Sequence, residues 1–182
     1  CCYVFLVISL NMYDGINLQS SIFYLINFIM VIFYSYGFNT IIISIICGLI
    51  IFSILNFKNK AFLGDSGVFL LSFFIGYLYV KLYNNTNLFN SIDIVLFLFL
   101  PVIDSLRVMF QRQFLENKQI FIADKLHFHH IIIKKRNQKS ALLLSSFFVI
   151  TPHLIFISPL SLEYFLFPFL FMYFLIIFLF KN

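Results

Sequence analysis

Long apolar runs separated by short polar interruptions leave this chain few options. The stretches Ser20–Tyr36, Asn39–Phe57, Gly67–Tyr83, Ile92–Phe110, Ala141–Ile157 and Leu162–Phe180 each approach the roughly 20 apolar residues that carry a helix across a hydrocarbon core of about 30 Å. In lipid every backbone polar group has to be satisfied within the spanning structure, which leaves helices or a closed barrel. The runs lack the period-two alternation of barrel strands, so they read as helices. Charged residues make up 10% of the chain, against about a quarter in soluble domains. The expectation is an all-α polytopic transmembrane helical bundle, one integral-membrane domain over residues 1–182. The twenty-eight Phe are packing and lipid-facing residues rather than a cofactor box.

The first apolar run, Cys1–Leu10, is too short to span and has neither a basic leader nor a small-residue cleavage site. It reads as the end of a truncated helix, so six full spans follow, and the chain is expected to be the C-terminal part of a longer protein. Cys1, Cys2 and Cys47 form no disulfide framework or zinc-ligand spacing.

Lys and Arg set the orientation. Placing segment 11–19 in the cytoplasm puts 57–66, 111–140 and the C-terminus on the same side, with Lys58, Lys60, Arg112, Lys118, Lys125, Lys134, Lys135, Arg136, Lys139 and Lys181. The opposite loops Gly37–Phe38, Asn84–Ser91 and Ser158–Ser161 carry none, although Lys81 lies near one of them. The positive-inside rule then fixes the topology. The net charge of +5 is concentrated on one side, where it favours anionic lipid head groups. No nucleic-acid-binding motif accompanies it.

Four polar constellations fall on that side. In Phe62-Leu63-Gly64-Asp65-Ser66-Gly67 the glycines permit tight backbone, Asp65 or Ser66 can cap the following helix, and a carboxylate at such an end can hold Mg²⁺ on a phosphate. Asn11-Met12-Tyr13-Asp14-Gly15-Ile16-Asn17 supplies amides that read a base or an acetamido group, and an acid for hydroxyls or a cation's water shell. Taken alone, each is an ordinary turn at a membrane edge. Pro101 and Asp104 lie inside a span; Pro101 kinks it, and Asp104 either pairs with Arg107 three residues on or points into a site. The 111–140 loop holds His127, His129 and His130, three of the four histidines. On a helix, 127 pairs with 130 while 129 diverges. Metal binding, proton transfer and phosphate binding compete for them. Zinc has no Cys support, and the remaining histidine, His153, stands alone in a span as a structural residue. Phosphate handling with Lys125 and Arg112, and with Asp65 for Mg²⁺, fits best.

In order and spacing these pieces resemble the polyprenyl-phosphate N-acetylhexosamine-1-phosphate transferase family. Asn11-Met-Tyr-Asp14-Gly-Ile is similar to its Asn-x-x-Asp-Gly segment, and Gly64-Asp65-Ser66-Gly67 to its Gly-Asp-x-Gly loop. Pro101-Val-Ile-Asp104, Arg112 and Asp124-Lys125-Leu-His127-Phe-His129-His130 resemble its Pro-x-x-Asp, Arg and Asp-Arg-x-His-x-His-His series. The resemblance covers nearly the whole chain. It departs at Ile8, where a further Asn is common, at Asn17-Leu18 in place of a second Asp-Gly, and at Lys125, which keeps charge but loses the bidentate geometry of Arg.

The resemblance implies attack by the phosphate of undecaprenyl phosphate on the β-phosphate of a UDP-N-acetylhexosamine, with UMP leaving, to initiate a cell-envelope polysaccharide. It implies a bacterial inner-membrane protein whose site faces the cytoplasm. Asp65 would be the metal ligand, for Mg²⁺ with Mn²⁺ as a substitute, and Asp65, His127, His129 and His130 the catalytic set. Asn11, Asp14, Asn17, Gly64, Ser66, Asp104, Arg112, Asp124 and Lys125 would bind substrate. The partners are a UDP-sugar, a polyprenyl phosphate and the membrane, with homodimerisation open. The family's paired aspartates lie upstream of the matched motifs, so this chain by itself is expected to be inactive. Other nucleotide sugars, a membrane transporter and a non-catalytic fragment are the competing readings; a transporter would carry polar residues to the midplane.

Overall fold

The apolar runs do form helices. The computed structural model describes residues 2–35, 40–86, 88–117, 119, 125–158 and 160–181, and no strand occurs among them. The helices are α1 (Cys2–Tyr13), α2 (Gln19–Tyr34), α3 (Thr40–Phe57), α4 (Gly64–Asn85), α5 (Ser91–Phe97), α6 (Phe99–Phe110), α7 (Phe128–Lys135), α8 (Gln138–Ile157) and α9 (Leu166–Lys181). A π-helical turn, Gln111–Leu115, extends α6, and a 3-10 turn, Leu162–Phe165, leads into α9.

Among the described residues four stretches are long and apolar enough to cross a membrane: α3, α4, α8 and Leu162–Lys181. They make the chain an integral membrane protein. Two of the expected crossings are less regular. The 16-residue α2 reaches about 24 Å at 1.5 Å per residue. The run Ile92–Phe110 divides at Leu98, where φ is −102° and ψ 13°. Pro101 accounts for the division, because its ring obstructs the carbonyl four residues earlier, that of Phe97, and it has no N–H to donate.

The surface of the bundle is what lipid requires. α3 buries only Ile42, Leu49 and Asn56, one stripe along the helix, and exposes Ile41, Ile50, Ile51, Ile54 and Phe57. The interior gathers on α2, which packs against α3, α4 and α8 and buries Phe23, Tyr24, Asn27, Phe28, Val31 and Tyr34. Apolar burial does not drive helix association inside a bilayer, so packing and interhelical hydrogen bonds hold the bundle together. The Tyr79 hydroxyl donates to Asn27 Oδ1 at 2.6 Å, Asn27 Nδ2 donates to the Phe23 carbonyl at 2.8 Å, and the Tyr24 and Ser72 hydroxyls are 2.7 Å apart. Close approach supports the second layer: a Cβ on Gly76 of α4 would lie 3.0 Å from Leu6 of α1.

The two ends of the bundle differ. At one end Tyr34 Oη lies 3.1 Å from His153 Nδ1, and the His153 ring stacks on Phe97 at 4.3 Å, which fits the structural role expected for that histidine. At the other end the loops 14–18, 58–63 and 125–137 come together, bringing Lys58, Lys60, Lys134, Lys135, Arg136 and Lys139 to one edge; we refer to it as the basic end.

Asn27→Ala leaves the buried Tyr79 hydroxyl without its acceptor and is expected to lower stability by about 1–2 kcal/mol. Denaturant titration in mild detergent measures this, and an unchanged midpoint would mean that the α2–α4 hydrogen bond contributes nothing.

Candidate active site

At the centre of the basic end is Asp104, buried on α6. Its Oδ1 accepts from Arg107 Nη2 at 2.7 Å and from the Tyr173 hydroxyl at 2.6 Å. Its Oδ2 accepts from His127 Nδ1 at 2.8 Å, and the Phe128 backbone N–H lies 3.1 Å from both oxygens. Arg107 also donates to Tyr173 Oη and to the Leu126 carbonyl. Of the two roles weighed for Asp104, the structure shows the pairing with Arg107, and it adds a contact that holds His127. A carboxylate can only accept, so His127 carries its proton on Nδ1 and turns Nε2 away from Asp104. The same carboxylate caps the first turn of α7 from another helix, in place of a side chain of its own.

The histidines do not follow helical spacing, because α7 begins at Phe128 and His127 is extended with φ −63° and ψ 153°. The expected pairing of 127 with 130 gives way to parallel His127 and His129 rings at 5.9 Å, with His130 at 4.3 Å from His129. His129 is 1% exposed, and neither ring nitrogen has a hydrogen-bond partner. Burial first, and the neighbouring His130 second, hold its pKa down at about 3. At neutral pH it is an uncharged imidazole with one donor and one acceptor. Positive charge for a phosphate, expected from the histidine cluster, does not come from this member.

His129 lies directly on the 11–17 segment. A Cβ built on Gly15 would sit 1.9 Å from His129 Nε2, so the ring occupies the space a side chain would need. Next to it Asp14 is half-buried, and burial, reinforced by the negative charge of Asp65, raises its pKa. The 11–17 segment and the 62–67 loop meet where Asp14, Gly15, Phe62 and Leu63 line one cavity. Gly64 has φ +67°, the left-handed backbone that glycine accepts without strain. Helix capping differs from expectation: Leu63 holds the cap position, and neither Asp65 nor Ser66 makes a capping bond. Both stand exposed in the first turn of α4, where a carboxylate complements the helix dipole.

A cavity of about 150 Å³ opens here, lined by Asp14, Gly15, Asn17, Ser20, Phe62 and Leu63 among others. One wall is fixed by Asn56, whose Oδ1 accepts from the Leu18 N–H at 2.6 Å and whose Nδ2 donates to the Ala61 carbonyl at 2.8 Å. This holds Leu18 at φ +70°, a region uncommon for a bulky residue. Asn17 donates to Asn59 Oδ1, so that amide is already engaged within the protein.

Of the other expected residues, Asn11 is half-buried in the last turn of α1, Arg112 is buried in the π-helical turn after α6, and Lys125 is exposed. Asp124 lies outside the described residues. Sequence reasoning missed Tyr173, Asn56 and Asn59. Asn56 and Asn59 stand out as amides at the end of an apolar span, whereas Tyr173 is one hydroxyl in an aromatic run.

Among the described residues no group of three or more His, Cys, Asp or Glu is placed to share a metal ion. Asp14 and Asp65 are near enough to repel, and Mg²⁺ commonly takes one or two carboxylates and fills its sphere with water and substrate phosphate. Asp14 and Asp65 are the carboxylates on this side that such an ion would need. Both His129 nitrogens are buried polar atoms without protein partners, so this end still has hydrogen-bonding capacity. Comparison of the chain with family models, curated proteins and solved structures finds no match.

The low His129 pKa has a sign. The unfolded chain takes up a proton near pH 6.5 and the folded chain only near 3, so stability is complete above 6.5 and falls as pH drops between those values. One such proton is worth roughly 1.4 kcal/mol per pH unit. Chemical denaturation of the protein and of His129→Gln from pH 7 to 4 should show a shallower loss in the variant; parallel curves would contradict a buried neutral His129.

Proposed function

We propose that this chain belongs to a membrane transferase that moves an N-acetylhexosamine 1-phosphate from a UDP-sugar to a polyprenyl phosphate. One observation carries the reading: the segments 11–17, 62–67 and 127–130, separated by long hydrophobic helices, converge at one end of the bundle through the Gly15–His129 contact and the cavity that Asp14 and Gly15 share with Phe62 and Leu63. These are the segments in which the family resemblance resides. On this reading the six apolar runs are six crossings, α5 and α6 together forming one, and the basic end faces the cytoplasm of a bacterial cell.

The reaction makes a bond between a phosphate oxygen of the lipid and the β-phosphorus of the nucleotide sugar. It breaks the bond to the α-phosphate oxygen, and UMP leaves with that electron pair. Both reactants are anions, so the site has to neutralise charge as well as orient the groups. Mg²⁺ when bound supplies that neutralisation, with Asp65 and Asp14 as its protein ligands. Asp104 and Arg107 hold His127 so that Nε2 is free to accept or return a proton at the phosphate. His129, uncharged and buried against Gly15, holds the 11–17 segment beside the histidine helix. Arg112 and Lys125 contribute positive charge from the same loop, and Asn11 an amide for the base or the acetamido group.

Membranes containing the full-length protein, supplied with UDP-GlcNAc and undecaprenyl phosphate, should release UMP, and Asp65→Asn should reduce release at least about 100-fold. The same substitution should weaken Mn²⁺ binding measured calorimetrically on the purified protein. Undiminished release and unchanged Mn²⁺ affinity would remove Asp65 from the site.

A further inference from the structure

A second cavity, of about 410 Å³, lies on the other side of the Asn17–Asn59 contact, between the end of α3 and the start of α8. Its frame is well defined. α3 ends in a Schellman motif: Asn59 has φ +56°, its N–H donates to the Asn56 carbonyl at 3.0 Å, and the Lys60 N–H donates to the Leu55 carbonyl at 2.9 Å. Such an ending satisfies the last carbonyls and fixes the exit of the chain. Opposite, Asn137 Oδ1 accepts from the Ser140 N–H at 2.8 Å and starts α8, so its Nδ2 remains a donor.

The lining is divided by chemistry. Phe57 and Leu142 form an apolar wall, whereas Asn59, Asn137, Gln138 and Lys139 form a polar rim. Lys58 and Lys60 flank Asn59, and Arg136 precedes Asn137; like Lys139, all are exposed and none makes an ion pair among the described residues. Among the described residues no acid lines the cavity. Basic groups clustered between helices at a membrane edge select anionic head groups. A soluble phosphate would use the rim but leave the wall unused. That wall continues the lipid-facing surface of α3 and α8, where Ile54, Leu55 and Leu143 are exposed.

We propose that this cavity binds one anionic phospholipid, its phosphate held by Lys139 and the neighbouring lysines and amides, and its first methylenes resting on Phe57 and Leu142. The site lies beside the cavity lined by Asp14 and Gly15, with Asn17 and Leu18 between the two, and the proposal stands whether or not the chain transfers sugar phosphate.

The test is native mass spectrometry of the full chain in detergent, titrated with dioleoyl phosphatidylglycerol, dioleoyl phosphatidylcholine or inorganic phosphate. Two variants remove the same net charge: Lys58→Gln with Lys139→Gln at the cavity, and Lys134→Gln with Lys135→Gln on α7. Phosphatidylglycerol should bind at least about tenfold more tightly than phosphatidylcholine. The cavity pair should weaken it by about 25-fold, about fivefold for each lysine, and the α7 pair by less than about threefold. Lys58→Arg with Lys139→Arg should retain binding, which separates lost charge from lost folding. Equal losses from the two Gln pairs would replace the site with diffuse surface attraction. Equal affinity for the two lipids, or displacement of phosphatidylglycerol by millimolar inorganic phosphate, would also overturn the proposal.

Discussion

The carboxylate of Asp104 holds the basic end together. It ties α6 to α9 through Tyr173, to the chain before α7 through His127, and to the first turn of α7 through the Phe128 N–H. A buried charge is costly unless it is paired and its lone pairs are filled. Here Arg107 supplies the opposite charge, and three further donors complete the shell. Because those donors come from segments distant in sequence, satisfying one carboxylate fixes the position of the histidine stretch. Without it, His127 would lose its orientation, and the start of α7 would lose its anchor.

What Asp104 does for α7, Asn56 does for the 14–18 loop. Asn56 stands at the end of α3 and Asp104 midway along α6, and each reaches backbone groups on another segment. Between these two clamps His129 meets Gly15, and Asp14 comes within electrostatic range of Asp65. The apolar helices supply the frame. A few polar contacts decide where the chemistry-bearing loops are held, which suits a membrane, where burying apolar surface does not discriminate between helix arrangements.

Much of the frame is legible in the sequence, since an apolar run of sufficient length in lipid has little choice but to be a helix. The runs at 39–57, 67–83, 141–157 and 162–180 anticipate α3, α4, α8 and α9 closely. The division of the 92–110 run is half-legible: Pro101 signals a disturbance, but the break falls at Leu98 because the obstruction acts on the preceding turn. The histidine geometry was not legible, because i, i+3 reasoning needs both residues in one helix and His127 stands just outside α7. Asp65 as a cap failed for a related reason, the helix beginning at Gly64 with Leu63 in the cap position, two residues earlier than a cap at Asp65 requires. Tyr173 was invisible, because nothing in a Phe-rich helix indicates which ring faces a carboxylate on another helix.

The central claim is that the 11–17 segment and the histidine helix are held in contact at Gly15 and His129. Gly15 does not have the positive φ of Gly64, so the backbone there tolerates alanine, and any penalty comes from the space the imidazole occupies. The decisive measurement is a stability cycle by thermal or denaturant unfolding in detergent. Gly15→Ala should cost about 1–3 kcal/mol in the wild-type protein, and less than about 0.5 kcal/mol when made in the His129→Ala background. The same cost in both backgrounds would contradict the contact, and with it the convergence on which the functional reading rests.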